Sequence, residues 1–230
     1  MCIIQPVLLC RKPYSPAITK RLAVVEGATA LVATLMPALE VVVRVTTVPT
    51  EKAMLGQTVL KVNEQRELTQ LFTKRYLDEQ LLMVLAGRAA EMMMLGETSS
   101  LNARNFGFAR RIVNKIVVSN AMSYNSTIGP RTVSSPQIGA GNLAQIVQSR
   151  VSQVTQATAD NEMEAILQQA EKDVRALLER NVDFLNILVE KLCAAPYEIN
   201  GEEMEALALA HAHPDDLAHR QRGLEVEAYI

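Results

Sequence analysis

The chain has 230 residues, with 23 basic and 25 acidic side chains and a formal net charge of −2. That length holds one domain with a sizeable core, and 49% hydrophobic against 21% charged residues excludes a disordered polypeptide. The near-neutral balance argues against a non-specific nucleic-acid binder. Cys2, Cys10 and Cys193 cannot close a disulfide framework and lack zinc-knuckle spacing.

With no Trp, four Phe and ten Met, the core must be built from Leu, Val, Ala and Met, a composition that suits packed helices. The fold class read from this is mainly α. In chain order, residues 1–17 form an extended, Pro-containing start. Thr19 caps a first helix over Lys20–Met36, stopped by Pro37. The β-branched run Val41–Val48 reads as a strand and Gly56–Val62 as a second short one, which together make a small β-hairpin or short sheet.

Leu68–Leu95 has a helical period, with small residues at Ala86, Gly87, Ala89 and Ala90 where another helix can approach. A loop at Gly96–Ala103 and a helix over Arg104–Asn120 follow. Met122–Gly141 is rich in Ser, Pro, Gly and Thr and reads as a long loop. Asn142–Arg180 reads as one long helix or two, and Val182–Leu192 and Gly201–Ala212 as further helices, the last capped near Asn200.

Charge is unevenly spread. Residues 1–25 hold Arg11, Lys12, Lys20 and Arg21 and no acid, a composition that fits an organelle targeting leader or an ordinary extended N-terminus. Residues 201–230 carry seven acids and two Arg. The most apolar stretch, Leu22–Val48, is broken by Glu26, Pro37, Glu40 and Arg44, so no transmembrane helix is expected.

Several local segments, in order, resemble the C-terminal peptidase domain of the FtsH family of ATP-dependent zinc metalloproteases. Lys20–Ala33 is similar to the family's helix RRVAYHEAGHALVA. Ala86-Gly87-Arg88-Ala89-Ala90-Glu91 with Gly96-Glu97 is similar to GGRAAE…GE. Ala121-Met122-Ser123 with Ile128-Gly129-Pro130 is similar to GMS…LGP, and Ala170–Leu192 with Ile199–Glu203 to the closing helices. The resemblance implies a peptidase-like domain over residues 18–206, followed by an acidic, His-containing tail over 207–230. The chain holds no GxxxxGK[ST] phosphate loop, so ATP-driven unfolding would come from another chain.

In an HExxH helix two His four residues apart share one zinc, and the Glu is general base on the metal-bound water. The resemblance sets Val25, Glu26 and Thr29 at those positions and Asn105 at the third-ligand aspartate. Val25 has no lone pair, and Thr29 and Asn105 offer neutral oxygens, which suit zinc poorly. Glu26 is expected to pair with Arg104 or another cation. The degenerate positions Val25, Glu26, Thr29 and Asn105 thus lead to an expectation of no catalytic residue, no cofactor and no resident metal.

His211, His213 and His219, near Asp215 and Asp216, are weak metal candidates on a tail otherwise read as solvated. Arg110, Arg111 and Lys115 read as a solvated face or an intersubunit salt-bridge surface. Met92, Met93 and Met94 with Met83 read as core filling with some interface.

The function expected is that of a non-catalytic pseudopeptidase, a structural subunit of an organellar multiprotein complex. The alternatives are a regulatory subunit of an active FtsH ring and a metal-dependent hydrolase with relocated ligands. The partners expected are protein subunits, either ATPase-bearing FtsH chains or a respiratory, photosynthetic or import assembly, and no nucleic acid. The compartment expected is a plastid before a mitochondrion, with the chain peripheral to a membrane through its partners.

Overall fold

The fold follows from one helix that is buried on nearly every side. In the computed structural model, which describes residues 14–49, 55–122 and 153–227, α1 (Pro16–Leu35) buries Leu22, Ala23, Val24, Ala28, Leu31, Val32 and Leu35 around its whole circumference. Such a helix is stable only when surrounded. It starts four residues earlier than the sequence suggests, because Pro16 occupies the first turn, where its missing N–H costs nothing. Thr19 therefore lies inside the helix, its hydroxyl donating to the Tyr14 carbonyl at 3.2 Å. The helix ends one residue before Met36, whose backbone is extended ahead of Pro37.

After α1 the β-branched run forms β1 (Val42–Thr46), which pairs antiparallel with β2 (Gln57–Leu60). The register shifts between Val42 and Arg44, where Val43 makes a bulge. A third strand, β3 (Glu198–Asn200), adds to the other edge of β1, giving the order β2-β1-β3. The sequence gives no sign of β3, because three residues carry no periodicity and only the pairing with β1 makes them a strand.

The single helix expected over Leu68–Leu95 is two. The short α2 (Glu64–Thr69) ends where Gln70 turns left-handed at φ 52°. Thr73 then starts α3 (Lys74–Leu95) by accepting the Tyr76 N–H at 3.2 Å. One 3₁₀ turn, Ser100–Asn102, leads into α4 (Ala103–Asn114), which widens into a π-type turn over Lys115–Ser119. The expected loop over Met122–Gly141, apart from Met122, and the start of the helix expected from Asn142 lie outside the described residues.

α5 (Gln153–Arg180) and α6 (Val182–Cys193) complete the bundle: α3 and α6 flank α1, and α5 lies against α3. The core is continuous through Leu31, Leu77, Leu81, Ile116, Leu178, Phe184, Leu185, Leu188 and Leu192, each large side chain contributing about 2 kcal/mol by leaving water. α7 (Gly201–His211) is capped as expected by Asn200, whose Oδ1 accepts the Glu203 N–H at 2.8 Å.

The segment read as a solvated acidic tail is instead a helix, α8 (Pro214–Glu227), docked on the bundle. Asp216 is buried and accepts from Arg180 Nη2 at 2.8 Å and Asn181 Nδ2 at 2.7 Å. Asn181 is buried too, and its Oδ1 accepts the His213 N–H at 2.8 Å. Arg220 grips Glu205 of α7 with both guanidinium nitrogens, at 2.7 and 2.8 Å. Net acidity did not forbid burial, because each of these carboxylates has its own donor.

Asp216→Ala leaves the Arg180 guanidinium and one Asn181 N–H without their acceptor. The expected cost is about 1–3 kcal/mol, read as a lower Tm together with faster proteolytic cutting within α8.

Candidate functional site

The positions that resemble the metallopeptidase helix lie at the contact of α1, α3 and the 3₁₀ turn. Val25 is buried against Gly87 of α3. A Cβ at Gly87 would stand 2.8 Å from Val25 Cγ1 and 2.8 Å from Asn102 Oδ1, so only glycine admits both neighbours. One turn along α1, the Thr29 hydroxyl donates to the Val25 carbonyl at 2.9 Å, a bond inside its own helix. Asn102, in the 3₁₀ turn, is the other neighbour of Gly87 here. Asn105 is half-buried one turn into α4 and has no hydrogen bond to Val25, Glu26 or Thr29 among the described residues.

Behind Asn102 lies a fully buried carboxylate. Glu91 accepts from Asn102 Nδ2 at 2.6 Å, Ser99 Oγ at 2.7 Å, the Ser99 N–H at 3.0 Å and Arg21 Nη1 at 3.0 Å. Arg21 also reaches Glu97 at 2.6 Å. The bonds to Glu97 and then Glu91 push its guanidinium further up from its already high range. One oxygen is left over: Asn102 Oδ1 is buried with no hydrogen-bond partner among the described residues. Glu91 and Asn102 were not singled out from the sequence. The signal was present in Glu91 itself, an acid closing the small-residue stretch that Arg88 alone interrupts, since a carboxylate buried there must find donors.

Glu26 faces the opposite way, toward the sheet. Its carboxylate accepts from Thr58 Oγ1 of β2 at 2.8 Å, and its Cγ packs where Gly56 leaves room. The expected partner Arg104 is elsewhere, its guanidinium 5.6 Å from the Phe108 ring centroid. α1 ties Glu26 to the neighbouring strand, whereas Arg104 projects from the exposed side of α4. Burial raises the Glu26 pKa from 4.5 to about 7, the Thr58 bonds offsetting part of the shift.

The tail histidines are dispersed. His211 ends α7 and is exposed, His219 is exposed on α8, and His213 Nδ1 accepts the Asp215 N–H at 3.3 Å. Among the described residues no group of three or more His, Cys, Asp or Glu converges to hold a metal.

The zinc that the resemblance implies does not fit this donor set. Val25 supplies methyl groups, the Thr29 hydroxyl is engaged by its own helix, and Asn102 presents one neutral amide oxygen. Structural and catalytic zinc sites use thiolate, imidazole and carboxylate donors.

Two variants probe this wiring. Asn102→Asp sets two carboxylates 2.6 Å apart in a buried place, costing about 3 kcal/mol at neutral pH. The new carboxyl has a folded pKa above its unfolded value of about 4, so the deficit against wild type shrinks as pH falls toward 4. Thermal unfolding across pH measures it. Glu26→Gln tests the second carboxylate. A raised folded pKa means that wild type loses stability as pH rises from 4.5 to about 7. The variant therefore gains relative to wild type over that window and holds the gain above it.

The profile of Peptidase family M41 matches residues 14–207. Similar proteins include the ATP-dependent zinc metalloprotease FtsH 2 of Symbiobacterium thermophilum, 32% identical over 178 residues, covering 77% of this chain and 28% of that protein. The ATP-dependent zinc metalloprotease FtsH 1 of Sorangium cellulosum is 30% identical over 192 residues, 82% of this chain and 30% of its own length. The chloroplastic ATP-dependent zinc metalloprotease FTSH of Capsicum annuum is 26% identical over 179 residues, 75% of this chain and 26% of its own. The chain thus spans under a third of the length of these relatives. With helices, sheet and matched residues in agreement, the chain belongs to Peptidase family M41.

Proposed function

We propose that this chain is a non-catalytic member of the family, a structural subunit that uses the peptidase fold as a docking body within a multiprotein assembly. The observation that carries this reading is the inward wiring at Val25, Thr29 and Asn102. Each potential donor is absent or engaged, or is a neutral oxygen facing a glycine. Glu26 keeps a pKa near neutrality, the range of a working general base. A base needs a positioned nucleophile, and the group that holds Glu26 is Thr58, in a bond that fixes sheet to helix.

The partners proposed are other protein subunits, either FtsH-type chains or an unrelated membrane-bound assembly. No helix among the described residues is long and apolar enough to cross a membrane. The compartment proposed is an organelle, a plastid before a mitochondrion. Support comes from the acid-free basic composition of residues 1–25 and the likeness to a chloroplastic relative among bacterial ones.

Purification of the native, tagged chain in mild detergent, followed by sizing on a native gel and mass spectrometry, tests the assembly. Co-migration with a defined complex is expected. Co-migration with ATPase-bearing FtsH chains favours the regulatory alternative, and migration alone contradicts both. A casein-degradation assay on the purified complex distinguishes catalysis. Glu26→Gln is expected to leave its rate unchanged, and a loss of a hundredfold or more contradicts the non-catalytic reading.

A further inference from the structure

α4 carries a surface that the proposed role as a subunit has not yet used. From Ala103 to Lys115 it holds Arg104, Arg110, Arg111 and Lys115 and no acid, in a chain whose net charge is −2. All four cations are exposed, and none has a carboxylate within ion-pair distance among the described residues. Two phenylalanines of the same helix are exposed with them, Phe106 at 44% and Phe108 at 38%.

The cations and rings are organised with respect to each other. Arg111 lies 4.4 Å and Arg104 5.6 Å from the Phe108 centroid. Lys115 Nζ lies 4.3 Å from the centroid of Phe72, which stacks on Tyr76 at 5.8 Å. Next to Phe72, Leu71 is 70% exposed. The result is a continuous patch of Arg, Phe and Leu, the composition found at the centres of protein interfaces. Its guanidinium groups are steadied by the aromatic rings before any partner arrives.

Three kinds of occupant compete for such a patch. A nucleic-acid base needs an open ring face, and here Phe108 is attended by two guanidinium groups and Phe72 by Lys115 and Tyr76. An anionic membrane would meet exposed Glu64 and Glu67 on α2, beside the apolar turn at Leu71. A carboxylate-bearing protein segment places its acids directly on the guanidinium groups without needing an open ring face, and, being narrower than a membrane plane, it can lie along α4 clear of Glu64 and Glu67. The chain's own residues 123–152 cannot supply the carboxylates, because they contain no Asp or Glu and two Arg.

From this geometry we infer that the exposed face of α4, with Leu71 and Phe72, docks an acidic segment of a partner protein. Arg104 and Arg111 are two turns apart, about 10 Å along the helix. They fit carboxylates seven residues apart on a partner helix. The inference rests on the reading of the chain as a subunit.

The test is zero-length carbodiimide coupling of the native assembly, which joins the Lys115 amine to a carboxylate only across direct contact. The expected result is Lys115 linked to an Asp or Glu of another chain. Its yield should fall at least tenfold in the double variant R104E/R111E, with the fold kept, because among the described residues neither side chain has an ion pair to lose and only exposed contacts to the Phe108 ring go. Phospholipid vesicles with and without phosphatidylglycerol and a single-stranded oligonucleotide serve as competing probes. Binding of either probe that R104E/R111E abolishes overturns the inference. An assembly and a Lys115 link that survive the charge reversal overturn it too, leaving the subunit reading intact, whereas a chain that migrates alone removes both.

Discussion

A carboxylate taken out of water must be given donors in its place, or the fold that buries it does not form. Glu91 is that carboxylate here, fully buried near the end of α3. Its donors come from separate parts of the chain: Arg21 on α1, Ser99 from hydroxyl and backbone, and Asn102 in the 3₁₀ turn. Satisfying Glu91 therefore fixes how α1 meets α3 and where α4 begins. Gly87, one helical turn earlier on α3, lets Val25 and Asn102 close over that contact.

The same constraint decides what chemistry this region supports. Asn102 is drawn toward Glu91 by its amide nitrogen, which leaves its oxygen buried and alone beside the methyl groups of Val25. Thr29 turns back on its own helix, and Glu26 is committed to the sheet through Thr58. Val25, Glu26 and Thr29 on α1 are thus each engaged within the domain. This supports a chain kept for its shape and surfaces, with α4 presenting cations and aromatic rings outward.

The elements that carry strong local patterns were legible in the sequence. A first helix stopped before Pro37, a β-branched β1 and Asn200 as a cap each depend on neighbours within a few residues. What could not be read depends on residues far apart in the chain. The strand β3 exists because β1 is beside it. The α8 segment looks like a tail until Arg180 and Asn181 are placed against Asp216. Family spacing points to Asn105, and only the fold shows that Asn102, held by Glu91, also stands beside Gly87 with Val25. The break at Gln70 was hidden because helical periodicity resumes at once in α3.

On the function proposed, this peptidase fold persists without a bound zinc. The direct measurement is zinc content by elemental analysis of the full chain, purified without chelator, with and without added zinc. Less than a tenth of an equivalent bound after gel filtration, with Tm unchanged by zinc, is the predicted result. One tightly held zinc per chain, released by substitution of Glu26 or Asn102 or of His211 and His213, would contradict it.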